Sequence, residues 1–261
     1  MRSATSNWPF GYVFRALPAA LACLIICAGY AGQSEWRRRA EVAFSLADDR
    51  AKAAPADIEA QSQFARAAYE LAEYSTNATE RATLANLGIK AARAVIKAMP
   101  SLASGHYYLA INLGQLARTR YLSALKLVGQ MEREFLKARE LDPGFDYAGA
   151  DRSLGLLYRD APSVGSIGSR RKAQHHFSRA VELAPTYPGN RLFLIESLLK
   201  WGDRTGASRE FKELEAVWDK ARKELTGPER QPDWADWEAR KEKVAERLHR
   251  GLPGIKSPRD R

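Results

Sequence analysis

The sequence predicts an all-α fold, a superhelical solenoid of antiparallel helix hairpins with elongated repeats and a C-terminal capping helix. Three observations carry that expectation. Alanine, leucine and charged helix formers dominate a chain of 261 residues that is 45% hydrophobic, whereas β-branched runs with period two are hard to find. Helix stops recur with one chemistry, at Ala98-Met99-Pro100, Leu141-Asp142-Pro143 and Leu183-Ala184-Pro185, 43 and then 42 residues apart. A near-constant period of this size marks hairpins that bury their apolar faces only against their neighbours.

The first element is set apart by composition. Arg2 and Arg15 precede an apolar stretch, Ala16 to Ala31, broken by Pro18 and followed by Gly32. That is the layout of a secretory signal within residues 1–33. The stretch also approaches the length of a short membrane span, and Arg37, Arg38 and Arg39 just beyond it suit a retained anchor. The chain is therefore expected to be exported, in the periplasm or held at the membrane by this segment. Both cysteines, Cys23 and Cys27, fall inside it, so the folded part is expected to have no disulfide, cysteine zinc site or thiol nucleophile. Ala22 ahead of Cys23 meets the small-residue rule for lipid attachment, whereas Ile26 ahead of Cys27 does not.

Residues 34–225 form the expected repeat domain, with an opening helix near Glu35 to Ala53 and four hairpins from Asp57 to Lys223. Asn77, with Glu80 three residues on, spells a capping box, preferred here over the glycosylation sequon Asn77-Ala78-Thr79. The units run longer than a standard repeat of about 34 residues. Their extra residues fall between the two helices of a hairpin, at Ala117 to Gln130 and Ala161 to Gly168. Residues 226–250 supply the capping helix, Asp233 to His249, with Asp233 as its N-cap and Trp234, Trp237, Val244 and Leu248 as its buried stripe. Residues 251–261 are expected to be a disordered basic tail.

Small and aromatic positions line up within the units. Ala173, Phe177, Ala180 and Pro185 spell small, aromatic, small, Pro; Phe135, Ala138 and Pro143 follow with Met131 in first place, and Gly88, Ala92, Val95 and Pro100 match more loosely. Leu154, Gly155 and Tyr158 stand in the first helix of their hairpin, Leu109-Ala110 in the unit before, and Ala207, Phe211 and Leu214 close the last unit. From about Gln61 to Asp219 the chain thereby resembles the tetratricopeptide repeat. Small residues let two helices approach, the aromatic fills the gap to the next hairpin, and Pro forbids another turn. The stretches 107–114, 122–127 and 190–194 also resemble the T component that accompanies some TRAP transporters, an exported bacterial helical-repeat protein.

The net charge is +10, and removing the two arginines ahead of Gly32 leaves +8. Acidic residues are interspersed throughout, which favours solvated helix faces over nucleic-acid contact. No catalytic, cofactor or metal constellation emerges. The four histidines are His106, His175, His176 and His249. His175 and His176 face different sides of one helix, against the convergence a metal requires. Gly165-Ser166-Ile167-Gly168-Ser169 lacks the Gly-Lys-Ser/Thr ending of a phosphate loop, which leaves Ser169 as a helix cap. The carboxylate pairs Asp48/Asp49 and Glu213/Glu215 sit among lysines and arginines, and no serine occupies a Gly-x-Ser-x-Gly elbow. An enzyme is therefore not expected.

Tyr69, Tyr107, Tyr108 and Tyr158 are core candidates by their spacing. The tetratricopeptide resemblance implies a groove along the first helix of each unit, at Tyr69, Tyr107, Ile111, Gln115, Arg152, Leu156, Arg159, Leu192 and Glu196. Arg152 and Arg159, two helical turns apart, are expected to form a basic strip on its concave side. The lysine and asparagine clamp that some members use for C-terminal carboxylates does not recur at these positions. The expectation is a binding scaffold whose partner, by the T-component resemblance, is a solute-binding protein. The alternative is a carrier with a small hydrophobic ligand in a cavity of the solenoid, and homo-oligomerisation stays open.

Overall fold

The computed structural model describes residues 19–119 and 124–250, with side chains over 35–119 and 125–250. The side chains of the N-terminal apolar segment, the tail at 251–261 and part of the stretch from Ala117 to Gln130 lie outside that range. Among the described residues ten α-helices follow one another: α1 (Ala19–Ala53), α2 (Ile58–Glu73), α3 (Ala78–Ala98), α4 (Ala103–Ala117), α5 (Ala124–Leu141), α6 (Phe145–Asp160), α7 (Arg170–Leu183), α8 (Pro188–Lys200), α9 (Arg204–Glu224) and α10 (Gln231–His249). A short 3-10 turn, Pro228–Arg230, precedes α10. Among the described residues there is no strand, and no helix is long and apolar enough to cross a membrane.

Side-chain caps start four of the eight hairpin helices among the described residues, α2, α3, α7 and α9. Asp57 accepts the Glu59 and Ala60 amides at the head of α2 (2.9 and 3.2 Å). Asn77 accepts the Glu80 amide at α3 (2.8 Å), Ser169 that of Lys172 at α7 (3.3 Å), and Asp203 that of Gly206 at α9 (2.8 Å). Each satisfies an amide that the first helical turn leaves without a partner. The last helix corrects one expectation. α10 begins at Gln231 with Arg230 as its N-cap, and Asp233 lies inside the first turn, paired with Arg230 at 3.0 Å. Pro232 explains the earlier start, because a first-turn residue needs no amide bond.

The four first helices, α2, α4, α6 and α8, stack in one layer, and α3, α5, α7 and α9 each pack on the first helices beside them to make a second; α1 packs on α2, and α10 on α8 and α9. Between the layers, Met131, Phe135 and Ala138 of α5 and Ala173, Phe177 and Ala180 of α7 are wholly buried. Gly155 of α6 approaches Phe177 so closely that a Cβ would stand 2.5 Å from the ring. Phe177 also stacks on Phe193 of α8, with centroids 6.4 Å apart, and so joins one hairpin to the next. Its counterpart in α9, Phe211, is only partly buried, since a single helix follows it. α10 closes that end with Trp234, Trp237 and Val244 buried and Leu248 packed against the core.

The extra residues of the third hairpin form a loop closed at its base. The Gly168 amide donates to the Pro162 carbonyl (3.0 Å) and the Ser169 amide to that of Tyr158 (2.8 Å). Val164, at the tip, is 89% exposed.

Phe177→Ala is expected to cost about 3–5 kcal/mol through the cavity it leaves. Gly155→Ala is expected to cost about 1–3 kcal/mol because its methyl must displace the same ring. Urea denaturation midpoints of the two variants check both values, and an unshifted midpoint for either overturns the register of α6 on α7.

Candidate functional site

The opening turn of α6 departs from helical geometry. Asp146, Tyr147 and Ala148 have φ angles of 50°, 54° and 60°, left-handed conformations that cost L-residues roughly 1–2 kcal/mol each. Arg152 holds them in place. Its guanidinium pairs with Asp146 Oδ2 (2.6 Å), and it donates to the Asp146 and Tyr147 carbonyls (3.2 Å each) and to Asn190 Oδ1 on α8 (3.0 Å). Tyr107 of α4 donates its hydroxyl to the same carboxylate at 2.6 Å. Asn190 Nδ2 donates to the Tyr147 and Ala180 carbonyls, both at 2.9 Å. Gly149 makes the room, since a Cβ there would lie 2.7 Å from both Tyr107 Oη and Asp146 Oδ2. Burial works against the charge on Arg152, and the Asp146 carboxylate outweighs it and holds the guanidinium above its ordinary value. Burial, together with that carboxylate, pushes the Tyr107 phenol well up.

The nine residues expected to line a groove do fall on the first layer, yet most of them join the units to one another. Ile111, Leu156 and Leu192 are buried core. Tyr69 is partly buried against the same core. Gln115, also buried, donates to Glu73 of α2, which Arg118 meets at 3.1 Å. Arg159 is gripped by its neighbour Asp160 (2.9 and 2.7 Å) and reaches Ser197 Oγ at 3.3 Å. Glu196 receives both arms of Arg240 from α10 (2.7 and 3.0 Å). The expected basic strip is thereby corrected. Arg152 is only 9% exposed, and a carboxylate of the chain itself already faces each of the two guanidinium groups.

The start of α10 adds to this closure. Arg230 lies over the Tyr147 ring (5.0 Å), Tyr147 stacks on Tyr187 (4.7 Å), and Tyr187 meets Trp237 edge-on (5.0 Å). Arg39 of α1 donates to Gln231 at 2.9 Å, so the first and last helices touch.

What stays open lies at the other end of the first layer. A groove of about 600 Å³ runs between α1, α2, the head of α4 and the turn before α6. Glu59, Gln63, Arg66 and Glu70 line it from α2, at the three-and-four spacing that puts them on one helical face. Arg66 donates to Glu70 (2.7 Å), Ser62 Oγ to Ser104 Oγ (3.0 Å), and the Tyr108 and Phe145 rings meet edge-on at 5.8 Å. Glu70 holds the Arg66 guanidinium above its ordinary value, and burial pushes the Tyr108 phenol up, so it stays a neutral hydroxyl at neutral pH. α2 has no first-layer helix before it, which leaves this polar face uncovered. Its stripe of polar residues is visible in the sequence, but the repeat register directs attention to other positions of each first helix.

Two of the histidines, His106 and His176, act as joints. His176 Nδ1 pairs with Asp151 (2.6 Å), which also receives Arg139 (3.2 Å), and His106 sits between Glu134 (2.7 Å) and the Pro100 carbonyl (3.0 Å). Among the described residues no group of three or more His, Cys, Asp and Glu is placed to hold a metal ion.

Comparison with known proteins gives the architecture its relatives. The crystal structure of TTC0263, a thermophilic TPR protein in Thermus thermophilus, is similar with a TM-score of 0.59 over 87% of this chain and 96% of that one, at 20% identity. This is a tetratricopeptide-type fold. At that identity the likeness shows the fold alone. The crystal structure of MamA aligns over 73% of this chain and 96% of that one, at 16% identity and a TM-score of 0.49. The sequence profile of a family described as "Regulator of microtubule dynamics protein 1-3" matches residues 30–144, less than half of the chain. No curated protein matches it.

Arg152→Ala is expected to lower stability by about 1–3 kcal/mol, because it removes the hydrogen bonds that hold the left-handed turn and the counter-charge of the half-buried Asp146; an equilibrium urea titration reads this, and an unshifted midpoint overturns the account of the α6 turn. A second expectation concerns Asp236, whose Oδ1 is buried without a hydrogen bond and whose carboxyl burial raises above the ordinary 3.8. A carboxylate raised in this way weakens the fold when ionised, and the fold gains stability as the pH falls through the raised value. Asp236→Asn is therefore expected to stabilise the protein at neutral pH, with the gain shrinking as the pH approaches 3.8. Melting curves across that range decide it, and a destabilised variant at neutral pH contradicts the assignment.

Proposed function

We propose that the chain is a non-enzymatic scaffold, exported or membrane-tethered, that holds an extended segment of a protein partner in the groove between α1, α2 and α4. The uncovered face of α2 is the observation that carries this reading. Three carboxylates, Glu59, Glu70 and Asp142, face one guanidinium, Arg66, around the groove. Such walls suit a segment that brings a basic side chain to the carboxylates, sets its backbone against the Tyr108 hydroxyl and the Gln63 amide, and rests an apolar side chain on Phe145. The T-component resemblance supports a solute-binding protein as the source of the segment, and the apolar stretch ahead of Gly32 supports export. A carrier of a hydrophobic ligand needs an apolar enclosure, whereas this groove is open and charged.

Selection of a phage-displayed peptide library on the purified chain tests the reading. Selected peptides are expected to carry lysine or arginine. They are also expected to lose at least about tenfold in affinity, near 1.4 kcal/mol, for the variant Arg66→Glu/Glu70→Lys. That exchange keeps an ion pair between two side chains that both reach solvent, so the melting temperature should move little. Peptides that bind the variant as tightly as the parent would remove the groove from the account.

A further inference from the structure

The second layer carries a feature that binding in the groove does not use. Each of its first three helices buries a stripe against the first layer: Gly88, Ala92 and Val95 on α3, Met131 and Phe135 on α5, Ala173 and Phe177 on α7. Two residues beyond the start of each stripe, about 200° around the helix, stand Lys90, Arg133 and His175, all exposed. Three or four residues further, on the same outward face, stand Arg93, Lys137 and Arg179. The same repeat position is thus cationic or imidazole in three consecutive units, and a second row of cations runs beside it. On α9 the equivalent residue is Arg209, which meets Glu210 at 3.3 Å.

These charges are poorly neutralised. Lys137 pairs with Glu140 (2.9 Å). Among the described residues, however, Lys90, Arg93, Arg133 and Arg179 have no carboxylate within salt-bridge distance, and the Nε of Arg179 is buried without a hydrogen bond. Beyond Glu80, α3 contains no acidic residue at all, while Lys97 adds one more exposed cation. In the first layer, by contrast, Arg152, Arg159 and Arg191 each face a carboxylate. An arrangement that pairs its inner cations and leaves the outer ones in register is a surface prepared for an external anion.

We infer that the outward face of α3, α5 and α7 is a second docking surface, and that its occupant is an acidic, extended segment of a protein partner. Repeated spacing across a curved stack suits a flexible chain of carboxylates that follows the curve. A lipid surface is less well matched, because the exposed apolar residues of α3 and α5, Leu87, Leu125 and Leu136, stand among the charges rather than forming the separate apolar face that enters a bilayer.

A fluorescein-labelled oligoglutamate peptide and phosphatidylcholine vesicles containing phosphatidylglycerol serve as the two probes. The peptide is expected to bind the whole chain with an affinity that falls as salt rises, and to bind Lys90→Glu/Arg93→Glu/Arg133→Glu at least about tenfold more weakly. A control with the same change in net charge, Arg38→Glu/Lys223→Glu/Arg247→Glu, alters exposed residues elsewhere and is expected to stay within about twofold of the parent. The milder Lys90→Gln/Arg93→Gln should show a smaller loss at an unchanged melting temperature, which keeps the test decisive if the reversal variant folds poorly. Equal losses in reversal variant and control would mean that net charge alone attracts the peptide, and that overturns the inference. So would vesicle binding without peptide binding.

Discussion

The buried guanidinium of Arg152 and the half-buried carboxylate of Asp146 form an ion pair on which contacts in three hairpins converge. A charge taken out of water is tolerated only when its partner and the remaining hydrogen bonds are in place. Here the guanidinium meets a carboxylate, two carbonyls and an amide oxygen. The left-handed turn at Asp146, Tyr147 and Ala148 exists to bring those acceptors to it. Were the turn to relax into ordinary helix, Tyr147 would leave Tyr187, Asn190 would lose a carbonyl, and Tyr107 would lose its carboxylate. The aromatic stack that continues to Trp237 and α10 rests on the same turn.

α6 has a second joint of this kind, aimed the other way. Asp151 is wholly buried and receives Arg139 from α5 and His176 from α7. One helix thus binds both layers through two carboxylates, and polar networks of this sort are coupled, so that the loss of one member exposes the others. The consequence for recognition is spatial. Inner-layer charge is consumed by the stack itself, and what is left to meet other molecules lies at the open end beside α2 and on the outward side of the second layer.

Much of this is legible in the residues. Leu154-Gly155 and Ala173-Phe177-Ala180 announce a helix pair in close approach, and the 2.5 Å left for a Cβ at Gly155 is its physical content. Asn77, Asp57 and Ser169 announce helix starts because a short polar side chain beside an unpaired amide has one stable use. The groove residues are less legible. Repeat register assigns a side chain to a face, but whether that face is free depends on what the rest of the chain brings to it. Asp146 reaches Arg152 through a left-handed turn at three residues that are not glycine, and no sequence signal marks such a turn. Glu196 is covered by Arg240, 44 residues later. Asp233 looks like a cap when Pro232 is taken for a breaker rather than for a first-turn residue.

The loop after α6 separates two quantities that sequence reading tends to merge. Its base is pinched by the Gly168 and Ser169 amides, and its tip stands free at Val164. Residues added beyond the pinch lengthen the interval between helix stops without moving either helix. The 42 residues from Pro143 to Pro185 therefore include the length of an arm, whereas the pitch of the stack is set by the buried positions of the helices. Two solenoids with unequal periods can share one curvature, and this arm is free to diverge in length while the surfaces on either side of it keep their geometry.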